Sequence, residues 1–225
     1  MEKDNYILIT GATSSIGSAI VETLSDKYKL IIHGRNKCKL QKLLNSNKYL
    51  KTSLLWEQDL NDVDNIENNL KNLILSYNIK ISCFIHVASI LSLQPIKIIK
   101  LKTIQESLNV NYISSALITK TLLSHTINPS LENIVFISSN ICNRGAKAFS
   151  LYASTKGAVD SMMRCLSVEL APKVRVNSVL PGAIKSQMTK NIFEDKEIEK
   201  RMLQTYPLGF GEPNDIAQVV EFLIS

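Results

Sequence analysis

The stretch YILITGATSSIG, residues 6–17, changes character twice within one short run. Residues 6–10 are apolar and rich in strand formers, and the run is short enough for a buried strand. Gly11 then permits a tight turn, and Ile16, Ile20 and Leu24 recur on one helical stripe. A strand that feeds a helix through a glycine turn opens a βα unit.

The same alternation continues along the chain. Residues 30–33, 53–56, 81–87, 133–137 and 174–179 read as five further strands. Helical patterns fill the intervals at 37–44, 62–76, 103–124 and 154–170, and a last amphipathic helix follows at 215–224. Strands alternating with helices argue for a parallel sheet covered on both faces. The expectation is a doubly wound α/β sheet of Rossmann type, with six strands in a single domain over residues 1–225. No repeat, linker or composition break marks a second domain.

Composition fits this reading and narrows the function. The chain has 225 residues, 45% hydrophobic and 20% charged, enough for a substantial core without disulfides or metal. No apolar run approaches the roughly 18 residues of a membrane span. The first residues carry no basic region followed by an apolar one, so no secretory signal is read. Cys38, Cys83, Cys142 and Cys165 form no CxxC and no zinc spacing, which suits reduced thiols in the cytoplasm. The net charge of +6 is spread out. Its densest stretch, IKIIKLK at 96–102, alternates Lys with Ile and Leu, the pattern of snorkelling side chains on a helix or its approach. Neither nucleic acid nor membrane is expected as a partner.

Sheets of this kind bind ligands beyond the carboxyl ends of their strands. After the first strand, Gly11, Thr13, Ser14, Ser15, Ile16 and Gly17 make a candidate pyrophosphate cradle, because amides at a helix N-terminus attract an anion. A plain strand-to-helix turn would share these glycines. After the second strand comes His33-Gly34-Arg35-Asn36, and no Asp or Glu lies between Asp26 and Glu57. An acidic residue there would hold ribose hydroxyls, whereas Arg35, with Asn36 beside it, suits a 2′-phosphate and favours NADP(H) over NAD(H). A solvated arginine opening a helix is the alternative. Asp59, followed by Leu60, is a candidate partner for the adenine amino group or a cap for the next helix. Tyr152 and Lys156, in YASTK, stand four residues apart on one helical face. A phenol with an ordinary pKa of about 10 needs a nearby cation to work near neutrality.

Five motifs in order, TGATSSIG at 10–17, VN at 110–111, ISS at 137–139, YASTK at 152–156 and RVNSVLPG at 175–182, resemble the classical short-chain dehydrogenase/reductase family. The resemblance spans nearly the whole chain. With PLGFGEP at 207–213, the pattern is most similar to 3-oxoacyl-acyl-carrier-protein reductases. It implies an oxidoreductase in which Tyr152 is general acid in reduction and base in oxidation, and Lys156 tunes it and holds the nicotinamide ribose. It further implies that Ser139 polarises the substrate carbonyl and that Asn111 carries a water-linked proton path to Lys156. Ala88 would line the cofactor site, and Pro181, Gly182, Ile184 and Ser186 would hold the nicotinamide end. Hydride passes directly to substrate carbon, so no metal is implied. The substrate would be a small carbonyl or alcohol compound or an acyl thioester. A sugar or polyol dehydrogenase, or a fold relative that binds dinucleotide or a protein without turnover, are the alternatives.

The chain departs from the family pattern in several places. Ser15 stands where a third glycine is usual, and His86-Val87-Ala88-Ser89 replaces Asn-Asn-Ala-Gly, with His86 read as structural. The family's arginine after the late glycine is missing, and its final strand does not occur before Ser225. The mixed charge of residues 187–206 suits a mobile helical lid, and a solvated surface helix has the same composition. The resemblance also implies a homodimer or homotetramer. Apolar residues beyond one stripe on the helices at 103–124 (Leu108, Ile113, Leu117, Ile118, Leu122) and 154–170 (Val159, Met162, Met163, Leu166) fit that expectation.

Overall fold

The computed structural model describes residues 5–190, 194 and 196–225. The absent-signal reading at residues 1–4, and positions 191–193 and 195 of the proposed lid, lie outside the described residues.

Six strands, β1 (Tyr6–Thr10), β2 (Lys29–Gly34), β3 (Leu54–Glu57), β4 (Ile81–His86), β5 (Asn133–Ile137) and β6 (Arg175–Val179), form one parallel sheet. Their order is β3-β2-β1-β4-β5-β6. The order reverses between β1 and β4, so this is where a crevice opens at the carboxyl ends. Every expected strand is present within a residue or two of its expected ends.

Alternation along β1 builds two cores. Ile7 and Ile9 face one layer with Ile32, Ile85 and Val135, while Leu8 faces the other with Ile31, Phe84 and Phe136. The first layer is covered by α1 (Ser15–Leu24) and by the last helix, α8 (Pro213–Ile224), through Ile20, Leu24, Ile216 and Val220. The second is covered by α3 (Val63–Tyr77), α5 (Ser114–Leu122) and α6 (Ser150–Glu169), through Ile66, Leu70, Ile118, Leu122 and Val159. Helix α2 (Lys37–Ser46) buries only Leu40 among its residues, and α7 (Lys196–Thr205) belongs to the late segment.

Three differences from the sequence reading have local causes. The helix expected at 103–124 is α4 (Leu101–Leu108), a π turn at Asn109–Ile113, and α5. The extra residue in that turn changes which side chains face the sheet, and such turns often mark functional sites. The last helix begins at Pro213, where a capping box stops fraying: Asp215 accepts from the Glu212 amide at 2.8 Å. The stretch at 96–102 forms a 3₁₀ turn and the start of α4. Its Ile96, Ile98 and Leu101 are as open to solvent as its lysines, so it presents no buried apolar face.

Candidate active site

A cavity of about 1160 Å³ lies along the carboxyl ends of the strands. Its walls include Gly11, Thr13, Ser14, Ser15, Ile16, Arg35, Asn36, Asp59, Leu60, Ala88, Ser139, Tyr152, Lys156, Pro181, Gly182, Ile184 and Ser186. Of the residues expected from sequence, only Gly17 and Asn111 stand behind the wall.

At the β1–α1 turn, Gly11 has φ +65°, and a Cβ there would lie 2.7 Å from the Ala88 backbone. A Cβ on Gly17 would lie 2.1 Å from the Gly11 carbonyl oxygen. Gly17 therefore seats α1 against the turn without lining the cavity. Ser14 caps the helix: its hydroxyl donates to the Gly11 carbonyl at 2.8 Å and accepts from the Gly17 amide at 3.0 Å. Helix geometry leaves the amides of Ser15 and Ile16 without intrahelical acceptors, and both residues line the cavity. The Ser15 hydroxyl accepts from the Gln187 amide at 3.2 Å, which ties the late segment over this turn.

Two buried histidines brace the strands beneath this turn. His33 accepts from the Gly11 amide through Nδ1 at 3.2 Å and donates from Nε2 to the Gln58 carbonyl at 3.0 Å, with its ring against Trp56. Burial pushes His33 down to about 4, so the ring is neutral and can accept through Nδ1. The Thr10 hydroxyl accepts from the amides of Val87 and Ala88 and donates to His86 Nδ1 at 2.9 Å. Burial, with Lys156 and His33 nearby, holds His86 well below its usual pKa. His86 thus supplies a side-chain bond between β1 and β4 and stays off the cavity wall, as expected of a structural residue.

At the adenosine end, Arg35 is exposed, and Asn36 caps α2 by accepting from the Lys39 amide at 3.0 Å. Lys39 adds a second cation to the wall that the sequence reading missed. Its signal was the i+4 spacing from Arg35 across the start of α2. Asp59 accepts from the Asn61 amide at 3.0 Å and holds its own turn.

At the other end, Tyr152 is in the first turn of α6, which starts at Ser150, four residues earlier than expected. Lys156 lies on the same face, its ammonium 5.8 Å from the Tyr152 ring centroid. Lys156 Nζ donates to the Ile137 carbonyl at 2.8 Å, and its own carbonyl accepts from the Ser138 hydroxyl at 3.1 Å. Burial lowers the Lys156 ammonium to about 8. Burial raises the Tyr152 phenol to about 12, and the Ser89 hydroxyl opposes the rise. Ser139 ends β5's extension and caps the 3₁₀ turn Asn140–Asn143.

Asn111 sits in the π turn, fully buried. Its side chain accepts from the Ile90 amide at 2.7 Å and donates to the Ile90 carbonyl and to Thr155 Oγ1, each at 3.0 Å. It clamps the segment after β4 to α6, one turn below Tyr152. Beyond β6, Gly182 lies against the Tyr206 ring, and Ile184 pairs with Gly211. Thr189, also missed, donates to the Ile184 carbonyl at 2.7 Å and accepts from the Ser186 amide at 3.1 Å.

Residues 5–197 match the family described as short chain dehydrogenase. The chain is 29% identical to an L-xylulose reductase of Caenorhabditis elegans, covering 99% of this chain and 89% of that protein. It is 32% identical to the 3-oxoacyl-acyl-carrier-protein reductase FabG of Aquifex aeolicus, covering 97% and 79%. A solved short-chain dehydrogenase/reductase of Brucella melitensis, described as glucose/ribitol dehydrogenase, superposes with a TM-score of 0.88 at 29% identity, covering 99% and 90%. The structure described as ElxO with NADP bound superposes at 0.86 and 25% identity, covering 99% and 92%.

Proposed function

Because the chain belongs to the short-chain dehydrogenase/reductase family of oxidoreductases, we propose that it moves hydride between NADP(H) and a carbonyl or alcohol carbon, with a 3-oxoacyl thioester as its substrate class. The observation that carries this reading is one continuous cavity with Arg35 and Lys39 on its wall at one end and Ser139, Tyr152 and Lys156 on its wall at the other.

The residues present fit a dinucleotide phosphate. Gly11 and Gly17 let the turn and α1 close up against Ala88 and each other, and the amides of Ser15 and Ile16 on the cavity wall face no helical acceptor. Arg35 and Lys39 suit a 2′-phosphate. Lys156 would hold the nicotinamide ribose, with Pro181, Gly182, Ile184 and Ser186 at the carboxamide. The bound cofactor supplies the hydride. Ser139 would donate to the substrate oxygen while Tyr152 gives up its proton to it in reduction and takes one back in oxidation. Asn111 and Thr155 keep Tyr152 in register with the segment after β4.

Substrate class rests on the remaining residues of the cavity wall. Leu91, Leu93, Phe149, Met188 and Met202 are apolar, and Arg144 and Lys147 add positive charge beside them. An acyl chain carried on an anionic thioester matches this better than a polyhydroxylated sugar. Free thiols at Cys38, Cys83, Cys142 and Cys165 support a reducing compartment, the cytoplasm. Among the described residues no helix is long and apolar enough to cross a membrane. Leu117, Met162, Met163 and Leu166 pack only partly against the second core, and the apolar surface they leave exposed supports a homodimer through α5 and α6. The test is loss of NADPH absorbance against β-ketoacyl thioesters, simple ketones and keto-sugars. Thioesters should turn over fastest, and preferred turnover of a keto-sugar would replace the substrate assignment.

A further inference from the structure

Ser89, in the segment after β4, lines the same cavity wall as Tyr152, and both of its neighbours are fixed. On one side, the Ala88 amide is held by the Thr10 hydroxyl, and the Ala88 backbone is packed against Gly11. On the other, both polar backbone groups of Ile90 are taken by the Asn111 side chain. Asn111 also bonds Thr155, whose hydroxyl donates to the Tyr152 carbonyl at 2.8 Å. The Ser89 backbone therefore cannot drift relative to the first turn of α6.

The Ser89 side chain has no such fixed partner. Its hydroxyl is buried and has no hydrogen bond within 3.5 Å, although Ser89 lines the same cavity as Tyr152. A buried hydroxyl without a partner is costly, so its retention asks for a group that needs it part of the time. Tyr152 is that group. The two lie close enough for the Ser89 hydroxyl to favour ionisation of the phenol against the effect of burial.

We infer that Ser89 is a positioning residue for Tyr152, its hydroxyl donating to the phenolic oxygen and steadying the phenolate that exists whenever the proton is on the substrate. This rests on Tyr152 being the proton donor. A phenol needs little help from Ser89 while protonated, which fits a Ser89 hydroxyl that bonds nothing in this structure. A phenolate is a strong acceptor and draws the donor in. Lys156 is held at the Ile137 carbonyl, so a hydroxyl from the segment after β4 supplies a donor that the helix face alone does not.

The test compares Ser89→Ala, Ser89→Thr and Tyr152→Phe with the parent enzyme in two readouts. The first is the pH profile of alcohol oxidation, which needs the phenolate. The second is titration of carbon-13-labelled tyrosine by NMR with NADP bound, with Tyr152 assigned from the signal lost in Tyr152→Phe. Ser89→Ala should move both titrations to higher pH by about one unit and cut oxidation near neutrality about tenfold, the scale of one charge-assisted hydrogen bond. Ser89→Thr, which keeps the hydroxyl, should restore the parent profile. Unmoved titrations in Ser89→Ala would overturn the inference, as would an equal displacement in Ser89→Thr, because packing alone would then be at work. An active Tyr152→Phe would instead remove the proton-donor reading, and the NMR titration would still report whether Ser89 bonds the phenol.

Discussion

Lys156, buried at the end of β5, donates its ammonium to the Ile137 carbonyl oxygen at 2.8 Å. Burial lowers its pKa from 10.5 to about 8, so folding works against the charged form. At about 1.4 kcal/mol per tenfold change, that fall is a folding cost of about 3 kcal/mol at neutral pH. The cost is complete below about pH 8 and fades as pH rises toward the unfolded value of 10.5, because only the unfolded chain then stays protonated.

Lys156→Met should therefore abolish turnover and still raise stability by about 1–3 kcal/mol, the lower end applying if the Ile137 carbonyl is left unpaired. Urea unfolding near neutral and alkaline pH checks this. The advantage of the variant should shrink at the alkaline end, and a variant less stable than the parent at both would show that the ammonium stabilises the fold.

Tyr152→Phe should lose about 10²- to 10⁴-fold in turnover, the usual contribution of a positioned acid, with cofactor affinity nearly unchanged. With the phenol raised to about 12, oxidation by the parent enzyme should climb with pH through neutrality, since it needs the ionised form. Reduction needs the protonated form and should hold until Lys156 discharges near about pH 8. Steady-state rates in both directions across that range are the measurement.

Arg35→Asp should weaken NADPH and favour NADH by about ten- to a hundredfold, the scale of a lost hydrogen bond to a charged group. Lys39, on the same wall, should soften the change, so the double variant with Lys39→Ala should shift further. Comparing kcat/KM for the two cofactors decides it. A parent enzyme that already prefers NADH would reverse the assignment.

Gly17→Ala should be damaging although Gly17 faces no ligand. Its Cβ would stand 2.1 Å from the Gly11 carbonyl oxygen, so either α1 or the turn must move. A loss of about 1–3 kcal/mol is expected for such overpacking, together with weaker cofactor binding. Thermal unfolding and dinucleotide titration measure the two effects, and an unchanged dinucleotide affinity would show that the turn absorbs the methyl.

Charge at Met163 or Leu117 should break the proposed dimer, since both pack only partly against the second core and keep some exposure, while Ile118, Leu122 and Val159 are fully buried in it. Light scattering at micromolar concentration checks it. A parent protein that scatters as a 25.2 kDa monomer would remove the dimer.

Much of this was legible along the chain because its causes are local. Strands announce themselves by short apolar runs, the Gly11–Gly17 turn by its place after the first, and Tyr152 with Lys156 by a helical spacing that needs no tertiary contact. The strand order, the neutral rings of His33 and His86, and the grip of Asn111 on Ile90 across 21 residues were not legible in this way. Neither were the raised phenol, the lowered ammonium or the placement of Ser89. A pKa depends on how much water the rest of the fold removes, and a hydrogen bond on which distant backbone arrives within reach. Sequence thus determined which residues stand at the ends of the strands. Only the folded sheet, by desolvating those residues and bringing the segment after β4 against α6, decided what each of them can do.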